Sequence, residues 1–319
     1  MTAEMTILCP GQGAQAVGMG KAWASAHPES RAIFDRADAV LGDSLGATLS
    51  DLCFNGPAGR LNKTDAAQPA IFVTSVASWH GVCAIAGNDP ISAPIAAAAG
   101  LSLGEYTALH IAGGMSFEDG LKLVTIRGQA MQDAAEATPS GMVALIGADE
   151  MSATELCEKV LDKMEDDPDD ERVLVPANFN APGQVVISGS LKACDLAEQV
   201  AGETGLRATR LTVAGAFHSP LMAPAAERLR AALGTVEIAS PRCRVMSNVT
   251  GTPHGTEPAG IKERLIEQLT NPVRWSEDCA YLNQHVGGTP FELAPGRTLA
   301  GLMRRIDRGV KVTSNDTPA

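Results

Sequence analysis

The chain has 319 residues, 45% of them apolar, which is material for one large domain or two modest ones around a sizeable core. A formal charge of −12 without any clustered basic stretch excludes a nucleic-acid binder, because phosphate contacts require a concentrated positive surface. Seven cysteines at positions 9, 53, 83, 157, 194, 243 and 279 form neither a CxxC pair nor a His-containing metal set, so reduced thiols in a reducing, cytoplasmic compartment are expected and no metal is.

In chain order, Met5 to Cys9 is an apolar run delivered into Pro10-Gly11-Gln12-Gly13, which predicts a buried strand ending in a tight loop. The start carries no basic segment followed by a cleavable apolar stretch, and no uninterrupted apolar run of about 18 residues follows, so no membrane association is expected. A helix capped by Asp65 is expected through Trp79. Pro94 to Ala99 reads as a strand despite its alanines, on the strength of Gly100-Leu101-Ser102-Leu103-Gly104, after which a helix runs to Gly113-Gly114. Ser116 caps a further helix, with Asp119 completing a capping box and Phe117, Leu121, Val124, Gly128 and Met131 on one face.

From Gly141 the pattern becomes strand (MVALIG), helix from Ser152, strand (VLVPANF), strand (QVVISG), helix through Leu196 and strand (RATRLTV). Such a βαββαβ run of about 70 residues closes into a ferredoxin-like unit. It is placed as an insertion at 138–207, so that 1–137 and 208–319 together build a larger α/β domain with Pro241 to Val249 and Thr289 to Leu293 as later strands. The acidic stretch Glu158 to Glu171 reads as a solvated loop, and the residues after Lys311 as a frayed tail.

The pentapeptide at 100–104 fits the nucleophile elbow G-x-S-x-G, in which small flanking residues tolerate a strained turn that lifts the hydroxyl above a sheet. Read alone, Ser102 is either that nucleophile or an ordinary turn serine. A strand before and a helix after favour the first, and they aim the Leu103 amide at charge developing on a bound carbonyl. Serine needs a base, and six histidines compete. His27, His254 and His285 lie in polar or turn-rich surroundings, and His80 and His110 sit within helices. His218 follows RLTVAGAF and precedes Ser219-Pro220, a loop at a strand end where catalytic groups converge. No acid lies close by to orient it, a task that a carbonyl can perform.

Seven ordered blocks then identify a resemblance from Pro10 to Ile306: PGQGAQ, GLSLGEYTAL, SFEDGLKLVTIRGQAMQ, NFNAPGQVVISG, AFHS, QLTNPVRW and ELAPGRTLAGL. Together they resemble the malonyl-CoA:acyl carrier protein transacylase family. The resemblance implies an α/β-hydrolase-like large domain with an inserted ferredoxin-like small subdomain, and malonyl transfer through a malonyl-serine intermediate without a cofactor. By position it implies Ser102 as nucleophile, His218 as base, Gln12 and the Leu103 amide as oxyanion donors, and the Gln268 carbonyl in place of the orienting acid. It also implies Arg127 as the grip on the malonyl carboxylate, Asn180 on the cleft wall and Phe217 as bulk against branched acyl groups. One departure stands out: Leu101 occupies a position where many relatives have His.

Arg127 has a partial physical warrant of its own, since it flanks the stripe of Val124, Gly128 and Met131 and its guanidinium, turned inward, requires an anion. That anion is either the substrate or a protein carboxylate such as Glu105. Phe217 likewise either shapes the site or only packs. Malonyl-CoA and holo acyl carrier protein are the expected partners of a monomeric enzyme. Both are anionic, so docking is expected on basic residues drawn from Lys63, Arg207, Arg210, Arg304, Arg305 and Arg308. An esterase-like hydrolase and a carrier-binding scaffold without catalysis are the competing readings, and neither the pathway of the carrier nor the protection against hydrolysis is legible.

Overall fold

The computed structural model describes residues 4–164 and 171–318. Two sheets organise the chain, with helices packed on both. The larger is built from β1 (Met5–Cys9), β2 (Ile95–Gly100), β7 (Arg244–Ser247), β8 (Thr252–Pro253), β9 (Thr289–Leu293) and β10 (Thr313–Asn315), in the order β10-β9-β1-β2-β7-β8. All neighbours are parallel except β7 and β8, and helices cover both faces, which is why β1 and β2 carry apolar residues on both faces rather than alternating, with Thr6 the one buried polar residue of β1. The alanines of β2 are at home there: Ala97, Ala98 and Ala99 are fully buried between layers, where small side chains let the helices approach.

Between these strands lie β3 (Ser140–Ile146), β4 (Leu174–Ala181), β5 (Gln184–Ser190) and β6 (Arg207–Arg210), an antiparallel sheet in the order β4-β5-β3-β6. The helices Glu150–Lys163 and Leu191–Glu203 pack on one face of it over a separate core that includes Val143, Leu156, Ile187 and Ala197. The edge strand β4 is tied to the larger part of the molecule: Phe179 N donates to Val273 O at 2.9 Å and Val273 N to Ala177 O at 2.9 Å.

The helices explain themselves locally, and several differ from expectation. Helix Phe117–Ala137 starts at Ser116, whose hydroxyl accepts from the Asp119 amide at 3.0 Å; the expected apolar face is buried, with Phe117 stacked on Phe72 at 5.8 Å. The helix expected at Asp65–Trp79 spans Thr64–Ala86. Lys63 is its N-cap, and Asp65 instead forms a fork with Arg60 at 2.7 and 2.9 Å. This helix is long and apolar enough to span a bilayer by length and composition, but 78% of its most apolar window is buried within the protein, so its hydrophobicity serves the core. Helix Glu150–Lys163 begins two residues before the expected Ser152, because Asp149 caps it and Ser152 closes the reciprocal box. It carries residues 158–163 of the acidic stretch that was expected to be a loop, and residues 165–170 of that stretch lie outside the described residues.

The expected frayed tail is instead an edge strand. β10 pairs with β9, Trp23 Nε1 donates to Asn315 O at 2.9 Å, and the Ser314 hydroxyl donates to Glu292 at 3.0 Å. Polar side chains had concealed it, since an edge strand gains from backbone pairing without needing an apolar pattern.

Candidate active site

The site sits where β1 and β2 end. A Cβ on Gly104 would overlap the Cys9 carbonyl of β1, and one on Gly100 would overlap the backbone of Gly104 itself. Both glycines are therefore set by close backbone crossing, and the turn they permit is tight enough to hold Ser102 at φ 52°. Asn248, just beyond β7, pins the turn from behind: its Oδ1 accepts from the Ser102 amide at 2.7 Å while its Nδ2 donates to Gly100 O and to Asp278 Oδ2, both at 2.8 Å. Burial pushes the Asp278 carboxyl well above the usual range, with nearby Glu105 adding to the shift.

Among the described residues only Ser102 and His218 are non-glycine residues with positive φ, at 52° and 56°. Each such conformation costs about 1–3 kcal/mol, and the two strained residues are those that meet. Ser102 Oγ lies 2.8 Å from His218 Nε2 across 116 positions of sequence, and His218 Nδ1 lies 2.7 Å from the main-chain oxygen of Gln268. With Nδ1 donating to that oxygen, Nε2 is left as the acceptor facing the hydroxyl. Burial, and then the Arg127 charge, lower the His218 pKa from 6.5 to about 4, with the bond to Gln268 opposing them. The imidazole is thus neutral and ready to accept a proton near pH 7. Four of the other five histidines are otherwise engaged: His110 packs between Phe72 and Phe117, His27 lies against Trp23 and His285 against Tyr281. His254, read as a turn residue, is buried with Nε2 2.6 Å from Glu105 Oε1.

Arg127 is 1% exposed. Its Nη2 donates to Ser102 Oγ at 3.0 Å and to Gln268 Oε1 at 2.9 Å, its Nη1 donates to Gln68 Oε1 at 2.8 Å, and its Cζ lies 5.3 Å from the Tyr106 ring centroid. Nε has no partner among the described residues. The alternative ion pair with Glu105 is not formed: that carboxyl is occupied by His254, the Asn248 amide and Gln268. A buried guanidinium with only neutral partners costs several kcal/mol, and a bidentate carboxylate arriving from outside offsets that cost where an acetyl methyl cannot.

These groups open into a cavity of about 670 Å³ between the two sheets, lined by Gln12, Ser102, Arg127, Asn180, Phe217 and His218 among others. Asn178 and Asn180 of β4 face it, and the Asn180 Oδ1 is buried without a partner among the described residues. Gln12 Nε2 donates to Thr64 Oγ1 at 3.3 Å on the wall. The Leu103 amide has no partner among the described residues and begins the helix Gly104–Ile111, so it remains a donor for an oxygen placed beside Ser102. Leu101 lines the cavity where an imidazole was noted as missing. Behind β4, a smaller cavity of about 310 Å³ reaches His218 past Phe179, Pro220 and Pro272. Of the basic candidates, Arg210 is engaged by Asp195 and Glu198; Lys63, Arg207, Arg304, Arg305 and Arg308 are exposed.

Sequence reasoning missed Asn248 and the burial of His254. Neither carries a local signal, since each works through partners far away in the chain.

The acyl transferase domain family matches residues 6–311. The malonyl CoA-acyl carrier protein transacylase of Bacillus subtilis is 39% identical over 317 residues, covering 99% of this chain and 94% of that protein, and the one from Salmonella typhimurium is 36% identical, covering 99% and 97%. Among solved structures, an acyl carrier protein S-malonyltransferase from Vibrio cholerae matches with a TM-score of 0.88 at 36% identity, covering 99% and 98%. A malonyl-transacylase in complex with a type II PKS acyl-carrier protein matches with a TM-score of 0.88 at 35% identity, covering 99% and 97%.

Proposed function

The chain belongs to the acyl transferase domain family, among its malonyl-CoA–acyl carrier protein transacylases, and from that premise we propose the route by which its own residues move malonyl from coenzyme A to the phosphopantetheine thiol of an acyl carrier protein. The observation that carries the route is the chain of contacts Gln268 O, His218, Ser102 Oγ, Arg127, in which one hydroxyl is shared by a neutral base and a buried cation.

The malonyl carboxylate binds Arg127, which sets the thioester carbonyl beside Ser102. Ser102 Oγ attacks that carbon as His218 Nε2 takes its proton, and the resulting oxyanion is held by the Leu103 amide and Gln12. Collapse breaks the carbon–sulfur bond, and His218 returns the proton to the departing coenzyme A thiolate, leaving malonyl-Ser102. In the second half-reaction His218 deprotonates the carrier thiol, which attacks the ester, and Ser102 leaves with the proton restored. Gln268 holds the imidazole tautomer, Asn180 lines the path, and Phe217 crowds the malonyl α-carbon, discriminating against a branch by about 1–3 kcal/mol.

The same reading divides the chain into an α/β-hydrolase-like catalytic domain of 1–137 plus 208–319 and a ferredoxin-like subdomain of 138–207, with β6 carrying the small sheet on to Arg210. The βαββαβ order and the pairing β4-β5-β3-β6 support it. A monomer in the cytoplasm is the form proposed: Ser102, His218 and Arg127 meet within one chain, and all seven cysteines are free thiols.

Intact mass spectrometry after incubation with malonyl-CoA tests the route. A malonyl adduct is expected on the wild type, absent from Ser102→Ala and discharged by holo carrier protein. Turnover to free malonate without transfer would mark a hydrolase, and absence of any adduct a binding scaffold.

A further inference from the structure

Gln268 touches the proposed machinery twice. Its main-chain oxygen receives His218 Nδ1, and its side-chain Oε1 receives Arg127 Nη2 at 2.9 Å. A carboxamide can serve Arg127 only if its oxygen end points that way, because its other end carries hydrogens that would repel a guanidinium. What sets this orientation is on the far side: Gln268 Nε2 donates to Glu105 Oε2 at 2.6 Å and to Ser102 O at 3.0 Å. Glu105 is itself fully buried on the first turn of the helix that follows the elbow, and it accepts at both oxygens, Oε2 also from the Asn248 amide at 3.1 Å and Oε1 from His254 Nε2 at 2.6 Å.

We propose that Glu105, held by His254, is a positioning residue that acts through the Gln268 carboxamide to keep Arg127 aimed at an incoming acyl carboxylate. The arrangement differs from a direct ion pair in a way that matters for selectivity. Placing the amide between Glu105 and Arg127 turns its dipole to suit both, yet leaves the guanidinium without a carboxylate of its own. The vacancy can then be filled by the substrate. Were Glu105 to contact Arg127 directly, an acyl carboxylate would have to displace a protein one, and the distinction between malonyl and acetyl donors would shrink.

This inference rests on the transfer reading above and deepens it. Its test compares kcat/KM for malonyl-CoA and acetyl-CoA in the full-length enzyme. Glu105→Met removes the acceptor at similar volume, and the malonyl-to-acetyl ratio is expected to fall about tenfold. Glu105→Gln keeps an oxygen for Gln268 while His254 adopts its other tautomer, so the ratio is expected to match that of wild type. Should the Met variant fail to fold, His254→Leu frees Glu105 from its outer partner and is expected to lower the ratio about threefold. An unchanged ratio in Glu105→Met, or in His254→Leu where Met is unfolded, overturns the proposal, as does a parallel loss for both donors, which marks a purely structural role. A wild type that forms no malonyl adduct sinks the transfer reading itself; a normal adduct with an invariant ratio sinks only the role of Glu105.

Discussion

At the scale of single residues, burial decides the chemistry. His218 is 4% exposed beside Arg127, and the two effects place its pKa at about 4 against 6.5 in open solution. The neutral form is the base, so the acid limb of kcat/KM for malonyl-CoA is expected near pH 4, with most activity retained at pH 5.5; a midpoint near 6.5 in a pH–rate profile would contradict the environment described. The same shift has a stability consequence of defined sign. Between pH 6.5 and about 4 the unfolded chain binds a proton that the folded chain refuses, so the fold loses stability as pH falls through that window. The elbow serine was legible because its glycines sit at fixed offsets. His218 stood out from six histidines by its loop after RLTVAGAF and by the AFHS block, but its pairing with Ser102 was not legible, because no local pattern records which strand end will face another. The positive φ at both residues is likewise a product of tertiary closure and leaves no trace in composition.

At the scale of elements, the crossing of β1 with the turn after β2 leaves no room for a side chain at Gly104. Gly104→Ala would drive a methyl group into the Cys9 carbonyl, a clash that no side-chain rotation relieves. We expect a loss of about 3 kcal/mol or more, read as a lower thermal midpoint, together with at least a tenfold drop in malonyl loading of Ser102. Wild-type melting and loading would mean that β1 yields at no cost. Strands and helices with buried faces were readable from periodicity, and the four-stranded unit from its order of elements. Termini were not: β10 escaped because Thr313, Ser314 and Asn315 carry no apolar pattern, and Asp65 passed for a cap although its carboxyl binds Arg60. Glu292 explains how the end of the chain is fixed. It accepts from the Leu299 and Ala300 amides at 2.7 and 3.0 Å and from Ser314 at 3.0 Å, joining β9, the helix Thr298–Ile306 and β10 through one buried carboxyl.

At the scale of the whole molecule, a chain of charge −12 must receive anionic partners. Thr298 and Leu302 line the cavity, and the last turn of the same helix carries the exposed Arg304 and Arg305, a local positive charge on the helix that borders the site. Arg304→Glu with Arg305→Glu is expected to raise KM for holo carrier protein about tenfold at low salt while sparing Ser102 acylation by malonyl-CoA. A salt-insensitive, unchanged KM would place the docking surface elsewhere. The backbone bonds between β4 and Val273 reach further than packing. They stitch the β4 wall of the cleft to the segment that carries Gln268, so lifting that wall as a hinged jaw would break both bonds. A cleft held in this way suits a slender tethered arm threaded end-on better than a bulky guest that would have to part the seam.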